Sequence, residues 1–341
     1  MPGRKIKNME ELAEVSGISR PTLSKFFQDP DSVRKSTRSR IENALKKFDY
    51  RPNIFAINQH RKLTRIIGIL VPYLADPFFA EIARMIERLC IGAGYWPVLF
   101  NAHGMRQLEN DALTTLQSLR PAGALLAPLG RNSDFAAVQR FTEEFPTVIF
   151  DSNVNVGRAF VGSDNFQSIP LIVDYLCRTG EPPCFFEMPP VNPNANKRRE
   201  AYIQCMHHLG HEPKVIRVRG QDWDFERIGR DEGLRLFSER ALPSDTVLCS
   251  NDRLAIGLLA AAYQKGLRVG HGPNCAIRIA GHDDHPWSQF TCPPLTTVSQ
   301  DYRSIARRSV EVLYDLIDGK IDSQDRPEEL FEGQLVLRAS A

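Results

Sequence analysis

Residues 17–27 read Gly17-Ile18-Ser19-Arg20-Pro21-Thr22-Leu23-Ser24-Lys25-Phe26-Phe27. Gly17 allows a tight turn, Ser19 is an N-cap residue, and Pro21 falls in the first helical turn, where proline is tolerated. Ile18, Leu23 and Phe26 are the candidates for the buried side of this helix. Upstream, Asn8 can cap a helix whose Met9, Leu12, Ala13 and Val15 approximate an apolar stripe. Downstream, a Gln-Asp-Pro-Asp turn leads to a third helix, which begins near Lys35-Ser36-Thr37 and presents Ile41, Leu45 and Phe48 to a core. Two helices joined by a short glycine turn, with a third in support, make a helix-turn-helix pattern.

The charge of the chain is divided to match. Over 341 residues the net charge is only +2. Residues 1–65 carry 15 Lys/Arg and 7 Asp/Glu, a net of +8, and the rest carry 28 and 34, a net of −6. A basic head on a mildly acidic body points to an anionic partner at one end. With 42% hydrophobic and 25% charged residues the chain is of ordinary globular composition, which excludes disordered and collagen-like classes. It has no apolar run long enough to span a bilayer and no secretory h-region, so a cytoplasmic protein without membrane association is expected. The seven cysteines, at 90, 177, 184, 205, 249, 275 and 292, include no C-x-x-C pair. They read as reduced thiols in that compartment, with no zinc spacing.

Residues 51–65 look like a connector, with Pro52 breaking the preceding helix. From residue 66, apolar β-rich runs alternate with helix-length amphipathic stretches. Strands are predicted at Ile66–Val71, Pro97–Phe100, Ala124–Ala127 and Val148–Phe150, with helices near 78–92, 106–119 and 134–143. A second round places strands at Cys184–Phe186, Val215–Val218, Thr246–Cys249 and Ala276–Ala280, with helices near 196–209, 224–239 and 252–265. This is the α/β class, with parallel sheets covered by helices. Two rounds imply two similar lobes, with a ligand cleft at the carboxyl ends of their strands.

A recognition helix enters the major groove with its N-terminal residues at the base edges. Arg20 and Lys25 are donors suited to guanine, whereas Thr22 and Ser24 suit phosphates. Pro21 offers no polar group, so part of the readout there is shape or apolar contact. Negative searches are also informative. No G-x-S-x-G, no P-loop and no complete dinucleotide turn occurs, so neither an enzyme nor a cofactor is expected. The cluster His282-Asp283-Asp284-His285 has no recognised metal-ligand spacing, and core packing is the better account of His282.

The segments G-I-S-R-P-T-L-S-K-F and T-R-S-R-I-E-N-A-L-K-K-F-D-Y-R-P-N resemble the head of the lactose/galactose repressor (LacI/GalR) family. The resemblance continues through I-I-G-I-L-V-P-Y-L-A-D-P-F-F-A-E-I, S-N-D-R-L-A-I-G and P-P-L-T-T-V-S-Q-D-Y, covering residues 8 to about 338. It implies a helix-turn-helix head (1–50), a hinge-helix connector (51–65) and a body (66–341) of periplasmic-binding-protein-like fold. Lobe 1 would hold about 66–163 and 302–328, and lobe 2 about 164–301 and 329–341. DNA contacts implied for the head and connector are Ser19, Arg20, Pro21, Thr22, Ser24, Lys25, Thr37, Tyr50, Asn53, Ala56 and Gln59. Effector contacts implied for the body are Asp76, Phe78, Phe79, Asp151, Arg198, Trp223, Asn251, Asp283 and Tyr302.

Two departures from the family pattern stand out. Gln59 replaces the hinge leucine that wedges into the minor groove, which leaves less operator bending or hands the wedge to Ile57. No heptad tail follows the last strand, so a dimer is expected rather than a tetramer. The expected protein is a transcriptional regulator, a repressor, on pseudo-palindromic double-stranded operator DNA. Its effector would be a neutral sugar or polyol, because three aspartates accompany a single matched arginine. The alternatives are a sugar acid or purine effector, the former if two of Lys197-Arg198-Arg199 point inward, or a sugar- or nucleoside-binding protein without an operator.

Overall fold

The computed structural model describes residues 6, 8–28, 30–50, 64–219, 222–321 and 327–341. These form two compact units divided between Thr64 and Arg65. In the first, helix α1 (Met9–Ser16) starts at Asn8, whose Oδ1 accepts the Glu11 N–H at 2.8 Å. It ends at Gly17, where φ is 63° and the N–H donates to the Ala13 carbonyl. Helix α2 (Arg20–Gln28) carries Pro21 in its first turn, and α3 (Lys35–Phe48) closes at Asp49 in the left-handed region. Leu12, Ile18, Leu23, Phe26, Ile41 and Ala44 are buried together, which accounts for the apolar pattern of all three helices. Leu45 and Phe48 pack at the margin of that core.

The second unit holds two parallel sheets. The larger contains β1 (Ile66–Val71), β2 (Trp96–Asn101), β3 (Gly123–Leu126), β4 (Thr147–Phe150), β5 (Ala159–Ser163) and β11 (Glu328–Phe331). Their order is β11-β5-β4-β3-β1-β2, all parallel. The smaller contains β6 (Cys184–Phe186), β7 (Val215–Ile216), β8 (Thr246–Cys249) and β9 (Arg278–Ala280), ordered β7-β6-β8-β9. An antiparallel pair, β10 (Thr297–Ser299) with β12 (Gln334–Val336), lies where the chain passes between the two sheets. Burial on both faces explains why β1, β3, β4 and β8 read as continuous apolar runs.

The helices of this unit are α4 (Pro77–Gly92), α5 (Arg106–Leu119), α6 (Phe135–Glu144), α7 (Asn165–Thr179), α8 (Pro193–His208), α9 (Phe225–Glu239), α10 (Asp252–Gln264) and α11 (Tyr302–Ile317). Strand β5 and helix α7 are absent from the sequence alternation above. Pro170 inside α7 reads as a breaker, yet the helix keeps its register. Asp164 caps it by accepting from Phe166 and Gln167, and Ile169, Ile172, Val173 and Leu176 bury one side. Two expected strands are shorter than read, β7 ending at Ile216 and β9 starting at Arg278. The strand Glu328–Phe331 pairs with Phe160–Ser163, so residues 329–331 sit in the larger sheet.

Candidate functional site

Three N-cap residues shape the cleft between the two sheets. Asp76, Asn192 and Asn251 each end a connection, and each accepts a helix N–H through its side-chain oxygen. Beyond the cap, Asp76 accepts from Arg253 Nη1 at 3.2 Å and Asn251 Nδ2 donates to Met188 Sδ at 3.4 Å. Asp151 follows β4 at φ 59° and Asp283 follows β9 at φ 126°. A non-glycine residue held there stores strain on the order of 1–3 kcal/mol, a common property of functional sites.

These groups line a cavity of about 30 Å³. Asp76, Phe78 and Phe79 enter from the larger sheet's side with Asp151, and Arg198, Trp223, Asn251 and Asp283 enter from the smaller sheet's side. Of the nine effector residues expected from the sequence, eight meet here. Tyr302 backs the wall instead. Its hydroxyl donates to the Asp283 carbonyl and its ring meets Phe78 edge-on at 5.4 Å. Five lining residues escaped the sequence reading: Met188, Asn192, Asn194, Phe225 and Gln300. The Asn192-Pro193 pair is a helix-start signal that could have exposed the first asparagine. The others carry no local signature.

Arg198 is 4% exposed and spends its guanidinium on three partners. Nε donates to Asn165 Oδ1 at 3.0 Å, Nη1 to the Ser250 carbonyl at 2.8 Å, and Nη2 pairs with Asp283 Oδ1 at 2.8 Å. Asp283 Oδ1 also receives Gln300 Nε2 at 2.6 Å and His282 Nδ1 at 3.0 Å. Burial raises the Asp283 carboxyl, but Arg198 and His282 outweigh it and hold the group below its usual range. His282 is fully buried and pushed down to about 4 by burial, with Arg198 adding to the effect. The neutral ring shares a hydrogen bond of 2.9 Å with Ser168 Oγ. His282 is therefore a core residue, and no group of metal-ligating side chains occurs among the described residues.

Asp151 is placed differently. Its Oδ1 accepts Asn194 Nδ2 at 2.9 Å, and no guanidinium or ammonium pairs with it among the salt bridges of the described residues. Burial, only partly offset by Arg198, pushes it up to about 7. Asp76 rises to about 6 for the same reason, opposed by Arg253. Of the basic run Lys197-Arg198-Arg199, only Arg198 is buried. Arg199 pairs with Glu187 at 3.4 Å, and Lys197 lies over the Phe160 ring. The apolar wall is Phe78, Phe79, Trp223 and Phe225.

In the head, Ser19, Arg20, Pro21 and Lys25 are exposed at the start of α2, with Thr22, Ser24 and Thr37 half-buried. Arg20 pairs with Glu10 at 3.0 Å while both remain about two-thirds exposed (64% and 60%). The Ser19 and Thr22 hydroxyls share a bond of 2.8 Å. Tyr50, expected at the DNA, is instead packed in the head core at 8% exposure. The chain turns back after α3, with the Tyr50 N–H donating to the Leu45 carbonyl, and this directs the ring inward. Asn53, Ala56, Ile57 and Gln59 lie outside the described residues. No helix among the described residues is long and apolar enough to cross a membrane.

A three-helix reader joined to a two-sheet ligand cleft defines a ligand-responsive DNA-binding regulator. Comparison with known proteins specifies the class. The family of bacterial regulatory proteins of the lacI type matches residues 8–53, and the periplasmic binding protein-like domain matches residues 177–341. The ribose operon repressor of Escherichia coli (strain K12) is 29% identical over 308 residues, covering 89% of this chain and 91% of the relative. The HTH-type transcriptional repressor CytR of the same organism is 28% identical over 338 residues, covering 97% and 95%. The fold matches the crystal structure of the Lac repressor dimer bound to operator and the anti-inducer ONPF, with a TM-score of 0.84 at 24% identity over 99% of both chains. The chain thus combines a head of the lacI regulatory type with a periplasmic binding protein-like domain, and it is similar to transcriptional repressors over most of its length.

Proposed function

We propose that this protein is a sequence-specific transcriptional repressor whose hold on operator DNA is controlled by a small neutral polyhydroxy ligand. In this reading residues 1–50 read DNA, 51–65 connect, and 66–341 sense the ligand and dimerise. The start of α2 enters the major groove of each half of a pseudo-palindromic site. Arg20 and Lys25 face base edges, and Ser19, Thr22, Ser24 and Thr37 face the backbone. The ligand sits among Asp76, Asp151, Arg198, Asn251 and Asp283, with Phe78, Phe79 and Trp223 against its apolar face. It acts by binding the two lobe arrangements unequally.

One observation carries the ligand class: Arg198 and Arg253 are already paired with carboxylates, while Asp151 is in no salt bridge among the described residues. A phosphate or sugar acid would meet net negative charge, whereas hydroxyl groups can donate to Asp151. A nucleoside is the second reading, favoured by the four aromatic rings on the wall. Thermal-shift screening of pentoses, hexoses, polyols, sugar acids and nucleosides tests the ligand class, and stabilisation by sugar acids alone would overturn it. A mobility-shift titration on genomic fragments at two salt concentrations tests the DNA reading. Binding without any sequence preference would end that reading.

A further inference from the structure

A dry ion pair crosses the cleft beside the cavity. Asp76, on the larger sheet's side, gives one oxygen to the Phe78 N–H at 3.0 Å as the cap of α4. Its other oxygen accepts from Arg253 Nη1 at 3.2 Å, and Arg253 belongs to α10 on the smaller sheet's side. Nε and Nη2 of that guanidinium hold Glu226 of α9 at 2.8 and 2.6 Å. Side-chain exposure is 6% for Arg253 and 11% for Asp76. The guanidinium also lies over two rings, Tyr73 from the first lobe at 5.7 Å and Phe225 from the second at 5.0 Å. Trp223 extends the same contact by stacking on Tyr73 at 5.8 Å and meeting Phe79 edge-on.

We propose that Asp76 and Arg253 form a latch between the lobes, with Arg253 a positioning residue for the effector response rather than a ligand contact. Glu226 holds the guanidinium from its own lobe by a bidentate fork, so the group is aimed before the lobes meet. Asp76 then closes the bridge from the other lobe. Stacked rings alone tolerate sliding, but a fork between two carboxylates fixes the register of the two faces. All three nitrogens are committed to carboxylates, and Arg253 is not part of the cavity wall. The latch therefore biases the body toward apposed lobes and lowers the closing cost that an effector must meet.

The test uses the full-length chain. Its tryptophans are Trp96, Trp223 and Trp287, and only Trp223 is buried, at 6% against 67% and 65%. In a Trp96→Phe, Trp287→Phe background, acrylamide quenching of Trp223 reports how far the lobes stand apart. Asp76→Asn preserves the cap acceptor and removes the charge, and Arg253→Gln removes the fork. Each should raise the quenching constant about threefold by populating the open arrangement. The double variant should rise no further, because the pair acts as one unit. Quenching at the parent value in both single variants, even with a lowered melting temperature, would overturn the latch and leave the pair a purely structural role. If Arg253→Gln does not fold, the nearly isosteric Asp76→Asn decides between the two outcomes alone. The measurement involves neither DNA nor effector, so its failure leaves the operator reading intact.

Discussion

Replacing Arg198 by methionine keeps the apolar stem and deletes the guanidinium. Three hydrogen bonds are lost, to Asn165, Ser250 and Asp283, in a place where the side chain is 5% exposed. Breaking a buried ion pair from one side costs about 3–5 kcal/mol, because the remaining charge stays desolvated. His282 and Gln300 still donate to Asp283, which places the cost near the lower end. At roughly 2–4 °C per kcal/mol for a unit of this size, the body should melt on the order of 10 °C lower at neutral pH. The pH dependence has a definite sign. In the native protein Asp283 is held below its usual value, so its stabilisation is present above the unfolded carboxylate range and lost as pH falls through the lowered value. Without Arg198, burial raises the Asp283 value instead, and the ionised group becomes a growing penalty as pH rises. The gap between native and variant melting temperatures should therefore narrow from about pH 7 to about pH 4. Calorimetric melts across that range measure it. A deficit under about 2 °C at neutral pH, or one that does not change with pH, would refute the assignment of the pair as a buried ionic element.

Four further outcomes are expected. Arg20→Ala should relax operator specificity by roughly 1–3 kcal/mol at one base pair in a competition mobility shift; a uniform loss across sequences would make Arg20 a phosphate contact. Glu10→Gln should free Arg20 from its exposed partner and tighten operator binding by less than about fivefold, since such surface pairs contribute about 0–1 kcal/mol. Asp151 is raised to about 7 by burial, so calorimetric affinity for the sugar or polyol that most raises the melting temperature should increase as pH climbs through that value and the carboxylate ionises. Asp151→Asn should flatten this dependence, and an unchanged profile would place the titrating group elsewhere. Gly104→Ala should weaken lobe closure, seen as easier Trp223 quenching, because φ is 72° and the added Cβ would stand 2.6 Å from the indole.

Local signals were legible in the chain. The cap Asn8, the turn glycine Gly17 and the apolar runs of β1, β4 and β8 act within a few residues of themselves, so their effects can be read in order along the sequence. Helix α7 was hidden because Pro170 is a local contradiction, overridden by tertiary burial of Ile169, Ile172 and Val173. Resemblance alone implied Tyr50 at the DNA, and the structure packs its ring in the head core. Resemblance brought Arg198, Asp283 and Trp223 into one set, yet nothing adjacent to Gln300 or Asn194 marks either as part of a cavity wall.

Charge shows the division most clearly. The polar groups at the strand ends were implied by resemblance, and the basic head and the α/β alternation follow from composition and spacing, which are properties of the chain as a string. Which carboxylate meets which guanidinium does not. Asp283 sits beside Arg198 and Asp76 beside Arg253, across sequence separations of 85 and 177 residues, and Asp151 is in no salt bridge among the described residues. Coulombic and desolvation energies depend on distance and burial in space. The neutral ligand and the latch proposed for the cleft therefore rest on pairings that exist only when the two lobes fold against each other.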